Sequence, residues 1–295
     1  MTFFRISLAV LAAIASAPLF ADPGIISARS GLNIRERADS HSRIVATAPF
    51  KSLIEIEEIT DVQERVGTQT GVWLKVTYTN PTTGNDSSGY AFDGFVFRQE
   101  DTDLFTLREN FLKRTFSIDL RREGTDDMHW KVILKLRNGQ NAVLFQNNGE
   151  ADKGSDDLYL ADAFPEAGFI AITRKESPEV SLVDLTTGRI TPMLYASIPV
   201  FNSASTAFFE FSSGGMFGTH LDIYQITGRN ITKVFSIGES DFEGQEGTAV
   251  WKDPGSIECE YPSGAGKKRF TLRLQSGRWN KGPACSVNAA TGRCG

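Results

Sequence analysis

Beyond residue 24 the chain reads as short runs in which apolar and polar positions alternate. Leu53-Ile54-Glu55-Ile56-Glu57 has the period of two that sends one face of a strand inward and the other to water. Gly31-Leu32-Asn33-Ile34-Arg35 and Ser42-Arg43-Ile44-Val45-Ala46-Thr47 precede it. Trp73-Leu74-Lys75-Val76-Thr77-Tyr78, Gly89-Tyr90-Ala91 and Phe95-Val96 follow. Strands this short, each with one buried face, predict a small half-open barrel over residues 22–98.

The pattern then changes. Glu100-Asp101-Thr102-Asp103 is an acidic, capping-type stretch, after which Leu104, Leu107, Phe111 and Leu112 share one face of a helix. Lys113 and Arg114 close it, as the helix dipole favours. A linker with a short helix is therefore expected over 99–127. From 128 to 295 strand–turn–strand units recur, with turn glycines at 139, 188, 228 and 277, spaced by 49, 40 and 49 residues. At Asn138-Gly139 the sequence predicts a type I′ hairpin turn. A period of 40 to 50 residues suits propeller blades, but only three to four units fit. The expected fold is mainly β, a small barrel followed by a repeated antiparallel domain, either propeller-like or a β-sandwich.

Residues 1–21 read as a secretory signal: Arg5, an apolar run from Leu8 to Ala17, then Pro18 and a small residue, Ala21, at the expected cleavage point. The apolar run is too short to span a bilayer, and no later stretch approaches the length a spanning helix needs. A periplasmic or secreted protein is expected, with no membrane span after cleavage. Three cysteines, Cys259, Cys285 and Cys294, fall near the C-terminus. In an oxidising compartment one pair bridges. Cys259–Cys285, which would staple a late hairpin to the tail, is preferred over Cys285–Cys294. Lys and Arg number 31 against 36 Asp and Glu, for a net charge of −5, which gives no general attraction to nucleic acid.

Gly31 to Arg35, Ile44-Val45, Gly71-Val72-Trp73-Leu74-Lys75-Val76 and Gly89-Tyr90-Ala91 stand in an order that resembles bacterial SH3 domains, over residues 25–98. Arg37-Ala38-Asp39-Ser40 replaces the family's usual Gly-Pro turn, and the loops at 60–71 and 79–88 are long for it. The resemblance implies binding to cell-wall material, often peptidoglycan peptides. Trp73, Tyr90 and Phe92 are the candidate stacking residues and Arg35 a candidate polar contact. Trp73 equally reads as a core residue of a small barrel.

Tests for catalytic chemistry return little. His41, His129 and His220 all precede Cys259, the reverse of the order a wall cysteine peptidase needs, and they stand too far apart for a paired zinc motif. No G-x-S-x-G elbow occurs. Carboxylate pairs for sugar cleavage leave no spacing signature. The acidic run Glu150 to Asp157 lacks calcium-loop spacing and reads as a solvated turn, and Lys267-Lys268-Arg269 as a basic strand flank. The expectation is an exported, non-enzymatic binding protein without metal or cofactor, directed at peptidoglycan or another envelope component. An inhibitor or immunity-type factor against an envelope enzyme is the alternative.

Overall fold

The computed structural model describes residues 22–80, 84–126, 129–148, 158–174, 180–192, 198–212, 218–264, 266–288, 291 and 293–294. The signal segment and the acidic run at 150–157 lie outside them. The chain divides into two units, Met1–Asp101 and Thr102–Gly295.

In the first unit seven strands form one sheet: β1 (Asp22–Ile26), β2 (Leu32–Arg35), β3 (Ile44–Ala48), β4 (Leu53–Val66), β5 (Gln69–Thr79), β6 (Asp86–Phe92) and β7 (Val96–Phe97), in the order β3-β2-β6-β5-β4-β1-β7. The inward positions of the alternating runs make the core: Ile34, Ile54, Ile56, Leu74, Val76 and Ala91 are all buried. A relation to bacterial SH3 modules is not confirmed by this sheet. Two local expectations are corrected. The stretch 60–71 is not a loop but the far end of a β4–β5 hairpin, with Val66 opposite Gln69. Its Asp61, Gln63, Glu64 and Arg65 are polar on both faces, so no alternation marked it as strand. β1 begins at Asp22, ahead of the first expected run, because Pro23 and Gly24 carry no strand pattern.

Glycine at 89 is a steric requirement. A Cβ there would lie 2.5 Å from the carbonyl oxygen of Arg35 and 2.9 Å from the Ile34 side chain. Its absence lets β6 approach β2, where Arg35 pairs with Tyr90.

The second unit begins with helix α1 (Leu104–Phe116). Asp103 caps it by accepting from the Phe105 and Thr106 amides, and Ser117 ends it in a left-handed conformation. Leu107, Phe111 and Leu112 are buried as the periodicity predicts, whereas Leu104 is exposed. Four antiparallel sheets follow in chain order. The first holds β8 (Leu120–Asp126), β9 (His129–Lys135) and β10 (Asn141–Asn148), so the stretch read as linker contains a helix and a sheet strand. The second holds β11 (Leu158–Phe164), β12 (Phe169–Arg174), β13 (Val180–Asp184) and β14 (Ile190–Pro192). The third holds β15 (Val200–Phe201), β16 (Ala207–Ser212), β17 (His220–Thr227) and β18 (Asn230–Ile237). In the fourth are β19 (Thr248–Asp253), β20 (Ser256–Ser263), β21 (Gly266–Gln275) and β22 (Arg278–Lys281), with β23 (Cys285–Val287) also paired to β21.

The four turn glycines all take positive φ, from 61° to 85°. The Asn138-Gly139 turn is not type I′, because Asn138 is absent from the positive-φ residues. Instead the Gly139 amide donates to the Leu136 carbonyl and Leu136 donates to the Gln140 carbonyl. That is a three-residue loop whose glycine forms the bulge.

Successive sheets pack face to face. Ala161, Phe169, Ala171, Val180 and Leu182 of the second sheet meet Phe208 and Tyr224 of the third. Phe209, Leu221, Ile223 and Ile237, on the third sheet's other face, meet Ile257, Cys259, Tyr261, Phe270, Leu272 and Trp279 of the fourth. The first and second sheets meet through the Arg137 amide, which donates to the Leu185 carbonyl at 2.9 Å.

Among the described residues no helix is long and apolar enough to cross a membrane. Cys285 is bridged to Cys294, not to Cys259. Cys259 points from β20 into the core between the third and fourth sheets, where no second thiol reaches it, and burial pushes its pKa up to about 12. A disulfide and the absence of a spanning helix among the described residues are compatible with a periplasmic or secreted protein.

Candidate functional site

A cleft of about 200 Å³ opens in the first unit between β2, the 36–43 turn, β5 and the end of β6. Its apolar wall is Trp73, Phe92 and Phe95. The Trp73 and Phe92 rings meet edge to face at 5.7 Å, and Phe92 lies 5.8 Å from Phe95. Its polar wall is Ser30, Asn33, Arg35 and Ser40.

Three of the four residues singled out in the sequence converge here: Trp73, Phe92 and Arg35. The fourth, Tyr90, sits opposite Lys75 on β5 and does not line the cleft. Trp73 and Phe92 are each only 2% exposed, so they serve the core and the cleft wall at once. Arg35 donates to the Ser42 carbonyl at 2.6 Å, and among the described residues no carboxylate pairs with it.

The cleft's edge is built by a turn. The Ser42 hydroxyl donates to the Arg37 carbonyl and accepts from the Arg37 amide, and the Ser42 amide donates to the Asp39 carbonyl. This places Asp39, Ser40 and His41 beside Glu64 of β4. Glu64 accepts from the Ser40 amide at 3.0 Å, from the Ser40 hydroxyl, and from the Trp73 indole N–H at 2.9 Å. The Ser40 bonds lower the Glu64 pKa most, burial opposes them, and the Trp73 bond adds to the lowering. Asp39 is lowered chiefly by the His41 amide. His41 Nδ1 is 3.4 Å from Asp39 Oδ1 and 3.2 Å from Ser40 Oγ. Donor atoms of Asp39, His41 and Glu64 all lie within 4.8 Å of one another.

This grouping leaves no motif in the sequence. The three histidines stand far apart from one another, whereas His41 finds its companions in Asp39 two residues back and in Glu64, which only strand pairing brings near.

Elsewhere, buried charge in the second unit is tied into the packing. Glu109 of α1 accepts from both Nη atoms of Arg122 at 2.7 Å, from Lys113 at 2.6 Å and from the Leu160 amide at 3.0 Å. Burial alone would raise its pKa. The Arg122 and Lys113 bonds and the Leu160 amide outweigh that and lower it to about 2. Glu210 and Asp222 are fully buried register partners on β16 and β17, on the face that also carries Phe208 and Tyr224. The Tyr224 hydroxyl donates to Glu210 at 2.9 Å; Lys233 and Ser236 donate to Asp222 at 2.6 and 2.5 Å. Lys267 and Arg269 donate to Glu260, and Lys268 to Glu243. The basic run expected to flank a strand thus lies within β21 and is neutralised by Glu260 on the neighbouring strand and by Glu243 outside the sheet.

No protein-family model matches the chain, and no curated protein matches it. Among solved structures it is similar to a candidate 6-phosphogluconolactonase from Bacteroides fragilis, at 9% identity and TM-score 0.36, over 91% of this chain and 83% of the other. A candidate 6-phosphogluconolactonase from Bacteroides uniformis matches at 10% identity and TM-score 0.32, covering 94% and 95%. The periplasmic gluconolactonase of Pseudomonas aeruginosa matches at 10% identity and TM-score 0.32, covering 91% and 83%. Likenesses of this size assign neither a family nor an activity to the chain. They do correct one expectation. All three are described as lactonase-type enzymes and none as a wall-binding or inhibitor protein, so the non-enzymatic reading is withdrawn in both its forms.

Proposed function

We propose that the protein takes a small organic anion as substrate in the first unit's cleft. The carrying observation is Arg35. Its guanidinium stands on the cleft wall with no carboxylate partner among the described residues, beside the aromatic wall of Trp73 and Phe92. A guanidinium in a cleft lined by aromatic side chains suits a carboxylate or phosphate attached to an apolar or ring-shaped body. The volume, about 200 Å³, is below the roughly 300–1,000 Å³ of pockets that take drug-sized ligands. That favours a small molecule over a polymer.

Calorimetric titration of the purified chain with a panel of small carboxylates, phosphates and their neutral amides tests this. Anions should bind, their neutral counterparts should bind at least about tenfold more weakly, and Arg35→Gln should remove the difference. Equal binding of charged and neutral members would refute the assignment.

Three further features belong to the same reading. The apolar run at 8–17 and the small residue Ala21 support export with cleavage after Ala21. The G-L-N-I-R and W-L-K-V segments support a first unit that resembles the bacterial SH3 group. The four sheets stacked in chain order support a propeller-like second unit.

A further inference from the structure

We propose that Asp39, His41 and Glu64 form a binding site for a divalent transition cation, zinc foremost, at the edge of the cleft. The donors are one imidazole and two carboxylates, mutually within 4.8 Å. Around a tetrahedral zinc with bonds of about 2.0–2.2 Å, ligand atoms stand roughly 3.4 Å apart. His41, whose side chain is 91% exposed, closes that difference by rotation without disturbing the core.

Glu64 is oriented from behind. The Trp73 indole N–H and the Ser40 amide hold its carboxylate in the way outer-shell donors fix metal-bound carboxylates.

The imidazole decides the class of cation. Calcium and magnesium take oxygen donors, whereas a nitrogen with two carboxylate oxygens suits zinc or its transition-row neighbours. Three protein ligands leave a coordination position open. Ser40 and Trp73, which hold Glu64, also line the cleft, so the cation site adjoins it. The cation site stands on its own geometry and does not depend on which anion the cleft takes.

The test is calorimetry of the untagged, chelator-stripped full chain with zinc chloride, followed in parallel by tryptophan emission. One zinc per chain should bind saturably, with a change in emission because Glu64 bonds the Trp73 indole. His41→Ala and Glu64→Gln, each shown folded by circular dichroism, should weaken binding by at least about tenfold, with loss of the emission change. His129→Ala and His220→Ala should bind as wild type, and calcium and magnesium should not compete. Absence of saturable zinc binding, binding unchanged in His41→Ala, or displacement of zinc by calcium would each overturn the proposal.

Discussion

Phe208 and Phe209 are neighbours on β16 and bury in opposite directions. Phe208 packs with Tyr224 at 4.8 Å, toward the second sheet, and Phe209 with Trp251 at 5.6 Å, toward the fourth. The third sheet is thus apolar on both faces, and this explains why Ala207-Phe208-Phe209 shows no alternation. Truncating either ring leaves a cavity in one interface, at a cost of about 3–5 kcal/mol each. Chemical denaturation of Phe208→Ala and Phe209→Ala should show losses of that size. A loss below about 1 kcal/mol for either would mean that its interface is not formed as described.

Glu109 predicts acid sensitivity of the second unit. Its folded pKa, about 2, lies below its ordinary value of 4.5. The stabilisation is therefore full above the unfolded carboxyl's range and is lost as pH falls from near 4.5 toward 2. The shift corresponds to about 3 kcal/mol. Stability measured from pH 7 to pH 2 should drop less steeply in Glu109→Gln. That variant should also be weaker at pH 7, by about 3–5 kcal/mol, because Arg122 and Lys113 lose their partner. An unchanged pH profile would count against the triad.

These two cases show what the sequence displays and what it hides. The 3.6-residue spacing of Leu107, Phe111 and Leu112 and the cap at Asp103 announce α1, and the turn glycines announce the hairpins. Neither kind of signal says that Glu109 will meet Arg122 and Leu160, because that contact depends on how a helix lies on two sheets. The cleft divides in the same way. Trp73, Phe92 and Arg35 stand out by residue type within short strands. Glu64 lies in a polar stretch that resembles a loop, and only its strand partners place it beside His41.

The cysteines separate by environment. Peptide mapping under non-reducing conditions should return a Cys285–Cys294 bridge and an unmodified Cys259. Cys259 should resist alkylation in the native state, since its thiol is buried and its pKa is raised to about 12. Cys259→Ser should lose about 1–3 kcal/mol by burying a hydroxyl in an apolar core. A Cys259–Cys285 peptide would contradict the arrangement of β20 and β23.

Gly188 carries two constraints at once. Its φ is +71°, and a Cβ there would stand 2.6 Å from the Cβ of Ala142 in the first sheet. Gly188→Ala should therefore destabilise the second unit by about 1–3 kcal/mol or more. Gly139→Ala, at φ +85° with open space around it, should cost only the backbone term. Equal losses in thermal unfolding would mean that the turn does not press on the first sheet.

The cleft of the first unit is the centre of the functional reading, and the Trp73 indole N–H reports on it directly. It bonds Glu64 at 2.9 Å, and Trp73 lines the cleft together with Arg35. Titration of the isotope-labelled protein with the tightest-binding small organic anion, followed by the indole N–H resonance, should shift that resonance saturably. The shift should be abolished in Arg35→Gln while the rest of the spectrum stays folded. An anion that binds without moving this resonance, or that moves it equally in Arg35→Gln, would contradict the placement of the substrate in this cleft.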